Sequence, residues 1–234
     1  MSNILYKLLI GKKEYNSKVT YHALEKQRKI FMDVWNNAHN DDTGIEKILR
    51  LFLILTHFFF PGIYIRDLFG RLGVGYKNLA IEFYVIFKLL FPLFLLLSGW
   101  YRNIYCILFI IYVLSETLFY VASLIFVSDL HMDKRSYRRT LLLLLMNYME
   151  IVFDFAVIYG GFNLITRNVH SVIDYIYFSF ITSVTIGYGD LYPTNNMAKM
   201  VVILHSMIFM VFVVLFLNFF SSKVATRDLF DRDR

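Results

Sequence analysis

The sequence predicts an all-α integral membrane protein, and three observations carry that prediction. Four stretches, 79–98, 103–127, 140–162 and 197–222, are apolar over about the length that crosses a bilayer. Hydrophobic residues make up 58% of the chain and its mean hydropathy is +0.54, too apolar for an ordinary soluble domain. Lysine and arginine collect beside the apolar stretches. The net charge of +6 therefore reads as membrane flanks rather than a nucleic-acid surface.

Taken in order, residues 1–47 are polar and read as an N-terminal cytoplasmic segment. Lys7, Lys12, Lys13 and Lys18 interrupt its start, so no cleavable signal peptide is expected. Within it, 21–35 carries Leu24, Phe31, Val34 and Trp35 at helical spacing, and Asp41-Asp42-Thr43-Gly44 is turn-like. The next segment, 48–76, has an apolar run at 51–65 that is short for a span. Pro61-Gly62 falls inside it, and Arg50 and Arg66 stand at its ends. It reads as an interfacial or re-entrant helix. Residues 77–128 then supply two peripheral transmembrane helices. Cys106 is the sole cysteine, which excludes an intrachain disulfide.

Residues 129–222 form the fourth part, with an outer helix at 140–162 that Gly160-Gly161 is expected to end. Ser171-Val172-Ile173-Asp174 is a capping pattern that starts a shorter helix at 172–184. Directly after it comes Thr185-Ile186-Gly187-Tyr188-Gly189-Asp190, followed by the long apolar helix 197–222. Two glycines spaced by one residue can adopt left-handed conformations and turn successive carbonyls toward one axis. Rings of such carbonyls replace the hydration shell of a dehydrated ion.

From about 175 to 193 the chain resembles the pore of the tetrameric potassium channel family. The likeness is looser over the flanking helices and absent before about 139. It implies a two-helix-plus-pore-helix channel module, preceded by two peripheral helices and an N-terminal cytoplasmic or interfacial segment. It also implies a homotetramer, because each chain brings one pore loop. The carbonyl-lined filter would be Thr185, Ile186, Gly187, Tyr188 and Gly189, with potassium as permeant ion, no cofactor and no catalysis. Tyr177, Phe178 and Tyr188 match the aromatic cuff around the filter, and Ile181 and Val184 complete its support. Asp190 matches the acidic residue at the outer mouth, with Tyr177 the candidate hydrogen-bond partner. Ile181 stands where some family members carry a buried carboxyl.

The long helix contains neither glycine nor proline, and Phe209 occupies the position where many relatives bend. Candidates for the cavity and inner gate are Met210, Val213, Leu217, Asn218 and Ser221. His205 within the helix reads as a packed, hydrogen-bonded histidine. Residues 223–234 form a short cytoplasmic tail.

With the filter mouth outward, Arg66, Arg71, Lys77, Lys134, Arg135, Arg138 and Arg139 fall inside, and only Arg102 and Arg167 outside. Both termini are then cytoplasmic and the plasma membrane is the expected location. Lys134, Arg135, Arg138 and Arg139 could contact anionic lipid. No span shows the repeated arginines of a voltage sensor. Four charges lie within spans: Lys88, Glu116, Glu150 and Asp154. Lys88, Glu116 and Glu150 come within about one helical turn in depth, so Lys88 is expected to pair with Glu116 or Glu150. The function the sequence supports is passive, selective potassium conduction. Its alternatives are a non-selective cation channel or a non-conducting subunit of a larger transport complex.

Overall fold

The computed structural model describes residues 22–38, 43–127, 137–166 and 169–231, and these are helical with short connections. The order is α1 (Ala23–Trp35), α2 (Gly44–Thr56), a 3-10 turn (His57–Phe59), α3 (Pro61–Gly70), α4 (Val74–Ser98) and a second 3-10 turn (Trp100–Arg102). Then come α5 (Ile104–Phe126), α6 (Tyr137–Gly161), α7 (Val172–Ser183) and α8 (Asn196–Asp231). Among the described residues, four helices are long and apolar enough to cross a membrane: Val74–Ser98, Ile104–Phe126, Arg139–Gly161 and Asn196–Leu217. Leu97 and Leu217 remain 81% and 64% exposed in the single chain. Water would penalise such faces, so lipid or further chains must cover them. The protein is an all-α membrane protein. The last of these spans ends at Leu217, and α8 continues beyond it as helix to Asp231. Lys134, Arg135 and Arg167 lie outside the described residues.

The chain divides into two units, 1–87 with 115–134 and 88–114 with 135–234. The first is built on α1, α2 and α3. Ile30 and Val34 of α1 meet Leu53 and Ile54 of α2, with Val127, in one buried cluster. The Gln27 side-chain amide donates to the Ile54 carbonyl at 3.2 Å, and Asp67 of α3 accepts from the Leu24 backbone N–H at 3.2 Å.

The apolar run at 51–65 is a broken helix. Its two halves, Gly44–Phe59 and Pro61–Gly70, bend by 70°. Phe60 is extended at φ −112°, ψ 148°, as a residue before proline should be, and Pro61 opens α3 at its first turn. The break leaves backbone groups without helical partners. The Tyr64 hydroxyl donates to the Phe58 carbonyl at 2.8 Å, and the Gly62 N–H donates to Glu116 Oε1 at 3.1 Å. The Tyr84 hydroxyl donates to the second Glu116 oxygen. Thus Glu116 caps the positive end of α3.

This explains Gly62. A Cβ there would lie 2.6 Å from Glu116 Oε1. Helix propensity alone favours alanine over glycine by about 1 kcal/mol. We expect the opposite sign: Gly62→Ala lowers stability by about 1–3 kcal/mol by displacing the cap. Thermal unfolding in detergent measures this, and an unchanged or raised midpoint would remove the capping role.

Candidate ion-conduction site

The second unit carries the glycine-rich loop and the helices around it. The loop is held at both ends. At its start, α7 finishes in a Schellman motif: the Ile186 N–H donates to the Ile181 carbonyl at 2.9 Å, and the Thr185 N–H to Thr182 at 3.1 Å. That motif requires a left-handed residue at its turn, and Thr185 fills the place at φ 57°. A β-branched residue with positive φ is strained and persists only where its surroundings impose it. Gly187 and Gly189 follow at φ 57° and 84°, while Ile186 and Tyr188 between them keep negative φ.

Along a strand, successive carbonyls point to opposite sides. Alternation of positive and negative φ from 185 to 189 breaks that pattern, so successive carbonyls can face one side. This is the backbone that ion coordination by carbonyls requires. No atom lies within 4 Å of the Cβ position of Gly187 or Gly189, so backbone conformation, rather than space, demands glycine there.

Past the loop, the Thr166 N–H donates to the Tyr192 carbonyl at 3.1 Å and the Thr194 N–H to Leu164 at 3.0 Å, around a bridge between Ile165 and Pro193. The Thr194 hydroxyl adds a bond to the Leu164 carbonyl. The segment before α7 therefore pins the segment after the loop.

The start of α7 holds the sequence's cap: Asp174 Oδ2 accepts from the backbone N–H groups of His170 at 2.7 Å and Ser171 at 2.9 Å. Its core side is fixed to α6. The Ser179 hydroxyl donates to the Val152 carbonyl. Ser183 gives its proton to the Phe180 carbonyl at 2.8 Å, so the Tyr148 hydroxyl donates to Ser183 Oγ at 3.0 Å. The Tyr148 ring lies 6.1 Å from Phe209 and 5.5 Å from Phe212, both on α8. Tyr148, Ser179 and Ser183 were not among the sequence candidates. The i,i+4 spacing of the two serines was the one available signal.

Of the expected support residues, Phe178 and Ile181 are buried, and Phe178 meets Tyr159 edge-on at 4.9 Å. The Val184 N–H closes α7 on the Phe180 carbonyl at 3.1 Å. Tyr177 is half-buried, and desolvation, together with the Asp190 carboxylate acting on its hydroxyl, holds that group's pKa up. Ile186 and Tyr188 stay 50% and 71% exposed in one chain. Within α8, His205 is buried, stacked on Phe155 at 3.9 Å and bonded through Nδ1 to the Tyr159 hydroxyl at 3.2 Å. Met210, Val213 and Leu217 are exposed in the single chain. The side chains of Asn218, Ser221 and Arg138 lie outside the described residues, while Arg139 opens the Arg139–Gly161 span.

As expected, α6 ends at Gly160-Gly161, and Asn163 beyond it takes the left-handed position at φ 51°. Its N–H donates to the Gly160 carbonyl at 3.3 Å, and Leu164 donates to Tyr159 at 3.0 Å. The glycines also serve close packing. A Cβ on Gly160 would meet the Tyr101 and Tyr175 rings at 3.1 and 3.2 Å, and one on Gly161 would meet Ile107 at 2.6 Å and the Tyr101 carbonyl at 2.7 Å.

The ambiguous charge resolves too. Lys88 pairs with Glu150, Nζ to Oε1 at 3.1 Å.

In this unit α6 and α8 flank a short helix and a loop along which positive and negative φ alternate. The family model described as Ion channel matches residues 141–226. That stretch coincides with the part of the sequence that resembles the potassium-channel pore module, and the chain carries an ion-channel domain there. Searches of curated proteins and of solved structures found no match.

Proposed function

We propose that the protein is a potassium-selective channel in which four copies bring their loops around one axis. The observation that carries this is the positive φ at Thr185, Gly187 and Gly189 within the sequence Thr-Ile-Gly-Tyr-Gly-Asp. One chain supplies one strand of carbonyls, too few to replace a hydration shell, and it leaves the loop exposed. Four strands close the ring. Conduction is passive: filter carbonyls offset dehydration, and ions in adjacent sites repel one another onward. Asp190 adds negative charge at the mouth and concentrates cations there. The C-terminal end of α7 leads directly into the filter, and its partial negative charge favours a cation.

The basic residues orient the chain in the plasma membrane, with the Asp190 mouth outward and both termini cytoplasmic. Lys134, Arg135, Arg138 and Arg139 then meet the anionic inner leaflet. With Phe209 in an unbroken α8, gating falls to the filter and its supports rather than to a hinge.

Purified protein in planar bilayers tests the reading. Under a potassium/sodium gradient the reversal potential is expected to follow potassium. A reversal near zero identifies a non-selective cation pore, and no current from a correctly assembled protein identifies a non-conducting subunit. Either outcome rejects the proposal.

A further inference from the structure

Ion conduction leaves a group of buried charges in the second unit unused. Lys88 of α4 and Glu150 of α6 form an ion pair whose side chains are 6% and 0% exposed. Asp154 sits one turn further along α6, on the same helical face as Glu150. It too is 0% exposed, and neither of its carboxyl oxygens has a hydrogen-bond partner. An ionised carboxylate without hydrogen bonds in such a core loses its hydration and gets nothing in return.

Charge counting agrees with the geometry. One ammonium and two carboxylates sum to −1, and a single proton makes the cluster neutral. Glu150 already engages the Lys88 ammonium, so the proton belongs to Asp154. Glu150 and Lys88 are the charged groups acting on Asp154. Among the described residues, the second 3-10 turn, α7 and α8 carry Tyr101, Arg102, Asp174, Tyr175, Tyr177, Lys199 and His205 against α6, the same unit's part of α5 adds Tyr105, Cys106 and Tyr112, and none of these adds a charge at Asp154. His205 is turned instead to Phe155 and Tyr159.

We propose that Asp154 is a proton-binding site of the outer pore helix, occupied while Lys88 is paired with Glu150. Loss of the proton leaves two buried carboxylates one turn apart on α6 beside one ammonium, and an uncompensated charge of −1 in the core. The site is independent of which ion the pore passes.

The test is infrared spectroscopy of the purified full-length protein across pH, with thermal unfolding beside it. At neutral pH the wild-type protein is expected to show the carbonyl stretch of a protonated carboxylic acid, shifted by deuterium exchange. The band should disappear at high pH and be missing from Asp154→Asn. A carboxyl protonated in the folded chain and ionised in the unfolded one takes up a proton on folding. Wild-type stability should therefore decline as pH rises, and the Asp154→Asn decline should be shallower. If the variant does not fold, the wild-type spectrum decides alone, because absence of the band overturns the proposal. So does a band that persists in Asp154→Asn, or a melting point that ignores pH and rises with sodium, which identifies a bound cation instead.

Discussion

Gly187→Ala is expected to abolish potassium preference. Gly187 holds φ 57°, and an L side chain in that region costs about 1–2 kcal/mol. Four copies around one axis would accumulate about 4–8 kcal/mol. The neighbouring Thr185 already bears such strain, with the Schellman bonds of α7 to impose it. Gly187 has no comparable anchor, and nothing within 4 Å of its Cβ position holds a strained conformer in place. The loop therefore relaxes at Gly187, its carbonyl turns away from the axis and a coordination site is lost. Since each 1.4 kcal/mol is a factor of ten, the potassium-to-sodium permeability ratio should fall at least tenfold, or current should vanish, while the protein still assembles. Bi-ionic reversal potentials measure the ratio and native gel electrophoresis checks assembly. An unchanged ratio would take this loop out of the ion path.

How much of this was legible in the sequence follows from the range of the interactions. The loop was legible because Gly-Tyr-Gly encodes backbone conformation locally. The capped start of α7 was legible too, because Ser171 and Asp174 act within one turn. Thr185 as a left-handed residue was hidden, since its φ comes from helix-ending bonds that a threonine does not advertise. Gly160 and Gly161 were legible as the end of α6, but their packing role was hidden for a related reason. A glycine pair at a helix end suggests a cap, but Tyr101, Ile107 and Tyr175, distant in sequence, are what exclude a side chain. Hydrophobic periodicity likewise located the spans without pairing the charges inside them. Lys88, Glu116 and Glu150 lie at similar depths, and depth alone cannot choose a partner. Glu116 proves to be committed to a helix N-terminus 54 residues earlier in the chain, at Gly62. Only the proline before that glycine hinted that a helix start would need an acceptor.

The commitment of Lys88 to Glu150 sets up an asymmetry between removing the cation and removing the anion. Lys88→Met should destabilise the protein by about 3–5 kcal/mol at neutral pH, the usual cost of stranding one member of a buried pair. Glu150→Gln should cost less. Asp154 stands one turn away with no hydrogen bond to break, so by giving up its proton it can supply the carboxylate that Lys88 needs. Lys88 has no such stand-in on the other side: Lys88→Met leaves two carboxyls and no buried cation. Those carboxyls can still be neutralised by protons, so the loss in Lys88→Met should shrink as pH falls. The loss in Glu150→Gln should grow instead, because acid holds the proton on Asp154 and leaves Lys88 without an anion. Thermal unfolding of the two variants and of the double variant Lys88→Met/Glu150→Met, across pH, separates these effects. The double variant replaces both charges by apolar groups and should recover most of the loss. Equal losses in the two single variants with parallel pH profiles would mean that Asp154 does not share the cluster, and the pair would then be an isolated clamp between α4 and α6.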